Sequence, residues 1–168
     1  MYDIKENFIM NDYPFIPYYN FETVCKQQPI TFPPQHQSVQ PGIENQMNPL
    51  PIFDNQNYIP SGKLQGKVAI ISGGDSGIGR AVAVLFAKEG CDIVIAYLNE
   101  HEDANYTKEV IEYYGRKCLL IACDLRKEES STQVINETLK TFGKVDILVN
   151  NCGVQFPQNS ILDISSEQ

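Results

Sequence analysis

Ser72, Gly73, Gly77 and Gly79 are the residues whose spacing points most directly to chemistry. They form the string Ser72-Gly73-x-x-x-Gly77-Ile78-Gly79, which follows the apolar run Val68-Ala69-Ile70-Ile71 and opens a segment of helical period. Gly73 lets the chain turn sharply after a strand, Gly77 lets backbone approach a ligand, and Gly79 lets a helix pack closely on a sheet. Strand, glycine turn and helix N-terminus together present backbone N–H groups to an anion, and the task this suits is gripping a pyrophosphate. No Lys-Ser/Thr follows the last glycine, which excludes a Walker A loop. The bland alternative is a plain turn between a strand and a helix.

Such a loop needs a scaffold, and the pattern from Lys63 onward supplies one. Strands are predicted over Lys67–Ser72, Asp92–Tyr97, Cys118–Cys123 and Val145–Val149. Helices are predicted over Gly77–Glu89, from Asn99–Glu102 up to the breaker Gly115, and over Glu128–Phe142. The first helix puts Ile78, Ala81, Val82, Leu85 and Phe86 on one stripe, and the third turns Val134, Ile135, Thr138, Leu139 and Phe142 inward. Acidic Glu100, Glu102 and Asp103 suit the positive end of the second. Near-continuous apolar strands suit a parallel sheet covered on both faces. Right-handed crossovers then give strand order 3-2-1-4, an α/β, Rossmann-like doubly wound sheet ending after its fourth strand. Two helices would cover one face and Glu128–Phe142 the other, leaving the fourth strand as an open edge.

Residues 1–62 are of another kind. They hold nine of the ten prolines and two of the eleven glycines, and no period of 2 or 3.6 is sustained. The shift places a boundary near Ser61-Gly62-Lys63 and divides the chain into an extended Pro/Gln/Asn-rich arm, 1–62, and an α/β part, 63–168. The arm reads either as a loose tail or as a strip laid over another surface through its five tyrosines and its Ile, Leu and Phe. Residues 31–62 favour the second; residues 1–25 are open. Net charge is −8, from 2 basic and 6 acidic residues in 1–62 and 11 and 15 in the rest, so −4 in each. That argues against nucleic acid or an anionic membrane as partner. No apolar run nears a membrane span, and no basic stretch leads an apolar one at the N-terminus, so neither anchor nor secretory signal is expected. Cysteines at 25, 91, 118, 123 and 152 form no C-x-x-C pair and read as thiols in a reducing, cytoplasmic setting, with Cys118 and Cys123 on opposite faces of their strand. His36 and His101 read as surface residues, and no metal site is expected.

Three motifs fall in order: the glycine loop after the first strand, Cys123-Asp124-Leu125 ending the third, and Asn150-Asn151-Cys152-Gly153 after the fourth. With them the chain resembles the short-chain dehydrogenase/reductase family over the whole of 63–168. The segment QPGIENQMNPLP resembles the N-terminal extension of a bacterial subgroup, the general-stress and glucose-dehydrogenase-like oxidoreductases. The resemblance implies reversible hydride transfer between NAD(P) and an alcohol or carbonyl. It implies that Gly73, Gly77, Ile78 and Gly79 hold the pyrophosphate and that Asp124 accepts a hydrogen bond from the adenine amino group, with the Leu125 N–H beside it. Asn151, Cys152 and Gly153 would line the adenosine ribose, and Asn150 would tie the fourth strand to its neighbours. Two positions depart from the pattern: Ser72 replaces the usual Thr, and Cys152 the usual Ala. The ribose-reading position falls at Ala96-Tyr97-Leu98-Asn99, about 20 residues beyond the loop. Tyr97 is no carboxylate, and neither Leu98 nor Ser76 is an Arg or Lys that would meet a 2′-phosphate. NAD and NADP both stay open. Asp75 and Glu100 nearby tilt the reading to NAD, with Asn99 as a neutral ribose ligand.

The family's catalytic Tyr-x-x-x-Lys pair, with its Ser and Asn, comes after the fourth strand and has no match there in this sequence. Tyr113-Tyr114-Gly115-Arg116-Lys117 has the spacing, but Gly115 breaks the helix between the two residues and the string precedes the third strand. No catalytic residue is therefore assigned. The expectation is a truncated cofactor-binding half, inactive alone, from a family whose full-length members are homo-oligomers. The alternative is a non-catalytic nucleotide-binding or interaction module that complements a separate C-terminal piece, or a gene remnant.

Overall fold

A computed structural model gives the fold and describes residues 34–38, 42–153, 160, 162 and 164–165. Cys25, four of the arm's tyrosines and the other features of residues 1–33 lie outside the described residues. Contacts divide the chain into Met1–Pro34 and Gln35–Gln168; the second unit is the subject below, and the composition shift at Ser61 falls inside it.

Seven main elements follow in order: β1 (Val68–Ser72), α1 (Gly77–Lys88), β2 (Asp92–Tyr97), α2 (His101–Tyr113), β3 (Cys118–Ala122), α3 (Glu128–Phe142) and β4 (Ile147–Val149), with a short 3₁₀ turn at Glu44–Gln46 ahead of them. The sheet is parallel with order β3-β2-β1-β4, as the crossover argument predicts. Ile70 pairs with Val94 on one side and Leu148 on the other, so β1 and β2 are the central strands. Their near-unbroken apolar character follows from burial on both faces. Ala69, Ile71, Ile93 and Ile95 pack with Ala83, Ala87, Ala104 and Ile111 from α1 and α2. Val68, Ile70, Val94, Ala96 and Ile121 pack with Val134 of α3. Cys118 belongs to the first cluster and Cys123 lies against the second, so the two thiols face opposite ways. Burial pushes the Cys91 and Cys118 thiols up to about 11 and about 12, which keeps both protonated.

Two helical stripes differ from the expectation. On α1 the buried positions are Gly79, Arg80, Ala83, Val84 and Ala87, while Ile78 is 78% and Leu85 42% exposed. Small residues bring this helix close to the sheet, and the stripe is rotated toward α2 by a buried arginine that apolar periodicity does not count. On α3 Val134 and Thr138 are buried, but Ile135 and Leu139 are exposed, because α3 is the one described helix on its face.

Residues 42–63 lie along α1 and are held mainly by charge. Glu44 pairs with Arg80, and Asp54 pairs with Lys88 and accepts the Tyr114 hydroxyl at 2.6 Å. Glu89 accepts the Tyr58 hydroxyl, the Lys63 N–H at 2.8 Å and the Ser61 N–H and hydroxyl. Ile52 and Ile59 face solvent, and the ring contact of this strip is made by Phe53, which packs edge-on against Tyr106. Among the described residues no helix is long and apolar enough to cross a membrane.

Candidate functional site

At the C-terminal end of β1 the chain turns over the sheet. Gly73 and Gly77 both have positive φ, +63° and +52°, a conformation that L side chains rarely adopt. Gly79 is required for a different reason: a Cβ there would sit 1.9 Å from the Gly73 carbonyl oxygen, so α1 begins in contact with the loop that leads into it. The Gly73 N–H donates to the Ala96 carbonyl at 2.7 Å, which fixes the loop to the end of β2.

The end of β4 is fixed to the same loop. Asn151 Nδ2 donates to the carbonyls of Ser72 and Gly73 at 3.0 and 2.9 Å. The Ser72 hydroxyl donates to the Val149 carbonyl and accepts the N–H groups of Asn151 and Cys152. Ser72 is therefore a buried link between β1 and β4 and does not line the cavity. The tie expected of Asn150 is made by Asn151.

These fixings leave a cavity of about 590 Å³ above the strand ends. Of the residues singled out in the sequence, Gly73, Asp75, Ser76, Tyr97, Asp124, Leu125, Asn151, Cys152 and Gly153 line it. Gly77, Ile78, Gly79 and Asn99 do not. Gly77 and Ile78 lie exposed at the start of α1, Gly79 is enclosed by the loop, and the Asn99 N–H donates to Glu100 Oε2 at 3.1 Å.

The profile of the short chain dehydrogenase family matches residues 67–168. The chain belongs to this family. It is 56% identical over 140 residues to general stress protein 39 of Bacillus subtilis (strain 168), covering 83% of this chain and 49% of that one. Among solved structures it is similar to carveol dehydrogenase from Mycobacterium avium in complex with NAD, with TM-score 0.58, 29% identity, and 64% and 43% of the two chains covered. It is also similar to a short chain dehydrogenase from Burkholderia cenocepacia J2315 in complex with NADP, with TM-score 0.56, 35% identity, and 62% and 42% covered. The chain spans about half the length of the curated relatives it matches.

The two sides of the cavity carry different charged groups: carboxylates on the β2 side and an Asp124–Arg126 ion pair on the β3 side. On the β2 side, burial raises the Asp75 carboxyl above its ordinary value, and the neighbouring Glu100 and Asp103 add to the rise. Burial, with Asp75 and Glu100 close by, likewise raises the Tyr97 phenol, whose oxygen lies 2.9 Å from His101 Nδ1. Glu100 Oε1 is buried against this wall with no hydrogen-bond partner among the described residues. On the β3 side, Arg126 donates through Nη2 to Asp124 Oδ2 at 2.7 Å and through Nε and its backbone N–H to Oδ1, which draws the Asp124 carboxyl down to about 2.

Sequence reasoning named Glu100 only as a neighbour and missed Arg126, yet both line the cavity. The spacing Asp124-x-Arg126 carries a signal for the second, since an aspartate commonly accepts the N–H two residues on and an Arg there can fold back onto it. His101, expected as a simple surface residue, is exposed but joined to Tyr97. Tyr113 is 82% exposed at the end of α2, and Gly115 has φ +72°, so the Tyr113…Lys117 string stands away from the cavity. Among the described residues no group of His, Cys, Asp and Glu could hold a metal ion.

Proposed function

We propose that this chain is the cofactor-holding half of an NAD(P)-dependent oxidoreductase, that it prefers NAD, and that its 168 residues do not complete the reaction alone. The supporting observation is the convergence of four segments on one cavity: the glycine loop, the end of β2, Asp124–Leu125 and Asn151–Gly153. That is the switch point of a doubly wound sheet, where ligands bind beyond the strand ends.

The residues fit a dinucleotide. Asp124 uses three of the roughly four acceptor positions of a carboxylate on Arg126, which leaves one for an adenine amino group. Asn151, Cys152 and Gly153 would flank the adenosine ribose, and a Cβ added at Gly153 or Gly77 meets nothing within 4 Å, so backbone is open to close approach there. The unpartnered Glu100 Oε1 would accept a ribose hydroxyl, and with Asp75 it would repel a 2′-phosphate. The bound nicotinamide would supply the hydride chemistry. Among the described residues the cavity wall holds Tyr97 but no lysine, so a tyrosine–lysine proton relay would come from residues other than these. The outer edge of β4, unpaired among the described residues, and the exposed Leu148 favour further polypeptide packing on that side, in the same chain or a separate one.

Calorimetric titration tests this reading. NAD⁺ binds more tightly than NADP⁺, Glu100→Gln narrows that difference, and Gly153→Trp abolishes both while leaving the fold intact. Failure of the full chain to bind NAD⁺, NADP⁺ or ADP refutes the cofactor reading, and tighter binding of NADP⁺ refutes the preference. Turnover of an alcohol or carbonyl above the Gly153→Trp background refutes the claim that the chain alone is incomplete.

A further inference from the structure

The glycine loop is held from behind by the arm. Glu44 is 6% exposed and divides its carboxylate between two partners, one oxygen on the Arg80 guanidinium and the other on the N–H of Gly77. Its own N–H donates to Asp103 Oδ2 at 3.0 Å, and Asp103 Oδ1 lies 3.4 Å from Arg80. Arg80 is 3% exposed and donates through Nη2 to the Asp75 carbonyl at 2.8 Å, with Nε between that oxygen and Thr107 Oγ1. The Thr107 hydroxyl adds a third hydrogen bond to the same carbonyl at 2.6 Å. Phe53 of the arm and Tyr106 of α2 place their rings 5.3 and 5.1 Å from the guanidinium carbon. One cation thus fixes the backbone at Asp75, and the carboxylate that fixes the cation also fixes Gly77. The two positions bracket the turn through Ser76, whose side chain makes no capping hydrogen bond of its own.

We propose that Glu44 is a positioning residue for diphosphate binding: it sets the Asp75–Gly77 backbone so that the turn through Asp75 and Ser76, which line the cavity, is held in place for the ligand. This rests on the dinucleotide reading above. A rival is that the Glu44 carboxylate takes the phosphate's own place on the helix N-terminus. The geometry favours support over occupancy. Glu44 reaches Gly77 from the side built by Arg80, Asp103 and Thr107. A helix start also offers several unpaired N–H groups, and Glu44 takes one of them. Simple charge gives the opposite expectation to ours: removing Glu44 leaves Arg80 less neutralised, which alone would strengthen binding of an anion.

The test compares ADP with adenosine in the full chain. Adenosine uses the Asp124–Leu125 and Asn151–Gly153 side of the cavity and reports little on the turn. In Glu44→Ala, ADP and NAD⁺ affinity fall by roughly fivefold or more, the scale expected when binding must order one or two backbone residues, while adenosine stays within about twofold. Glu44→Gln, which keeps an acceptor for the Gly77 N–H, falls between. Asp54→Asn loosens the arm at the far end of α1 and leaves the ADP-to-adenosine ratio unchanged, which separates positioning from general loss of stability. Tighter ADP binding in Glu44→Ala makes the carboxylate a competitor and overturns the proposal, as does an equal loss for both ligands or no loss for either. Amide hydrogen exchange over residues 75–79 in the ligand-free chain checks positioning without any nucleotide. Faster exchange in Glu44→Ala and Glu44→Gln agrees with the proposal, and unchanged exchange overturns it.

Discussion

The two faces of the sheet are covered to different degrees. On one face α1 and α2 bury Ala83, Ala87, Ala104 and Ile111 against β1 and β2, and residues 42–63 add ion pairs along α1. On the other, α3 covers the sheet through Val134 and Thr138 while Ile135, Leu139 and Leu148 face outward. The cavity stands at the strand ends between these faces, and its hydrogen-bonded loop is anchored to the better covered one. Hydrogen bonds are thereby concentrated at the turn after β1, and exposed apolar side chains on the α3 face.

Core substitutions should separate the faces most sharply. Ile95 is fully buried in the α1–α2 cluster, and Ile95→Ala costs about 2–5 kcal/mol, from lost transfer energy and the cavity left behind. Leu148→Ala, at a residue 58% exposed on β4, costs less than about 1 kcal/mol by the same logic, since most of its surface already meets water. Urea unfolding of both variants measures the contrast. Equal losses would mean that β4 is covered in solution and that the asymmetry is wrong.

The order and pairing of the strands were legible because crossover handedness and apolar runs leave little choice. The cavity was legible because its residues occupy strand ends, where short motifs carry their own geometry. The arm's mode of attachment was not. Its tyrosines, Ile, Leu and Phe suggested apolar contact; Phe53 makes one against Tyr106, but Ile52 and Ile59 are exposed and Glu44, Asp54 and Tyr58 make polar bonds. Their partners Arg80, Lys88 and Glu89 read as the polar side of an amphipathic helix, and a charge buried by a distant carboxylate leaves no periodic trace. The stripe of α1 was legible only in part: Val82 and Phe86 pack against the core as expected, but the most buried positions include Arg80, Ala83, Val84 and Ala87, whose helical spacing the arginine hid. Ser72 and Asn151 illustrate the converse, polar residues in a binding motif whose hydrogen bonds fix strands to one another.

The ionic anchoring of the covered face predicts a pH signature. The Tyr58 hydroxyl, with the Lys63 and Ser61 N–H groups and the Ser61 hydroxyl, lowers the Glu89 carboxyl from 4.5 to about 2. A carboxyl depressed in the folded state contributes stability that is complete above 4.5 and is lost as pH falls toward 2. Wild type therefore exceeds Glu89→Gln in thermal stability at neutral pH, and the gap closes over that acid window. A gap that persists at pH 2 would show that Glu89 acts through packing and not through its charge.

The smallest effect belongs to the open face. Leu139 is 44% exposed in the last turn of α3, and Leu139→Lys changes stability by less than about 0.5 kcal/mol, because little apolar surface leaves a buried site and a cation suits the negative end of a helix. The same change at Ile111, fully buried on α2, places an unpaired charge in the core and unfolds the protein. Light scattering alongside urea unfolding separates two causes of any larger effect at Leu139. Lower stability with unchanged mass would mean that α3 is packed in solution by other segments of the same chain. A fall in mass with stability retained would identify a second copy as what covers this face. Neither change leaves Ile135 and Leu139 as surface that this unit alone does not cover.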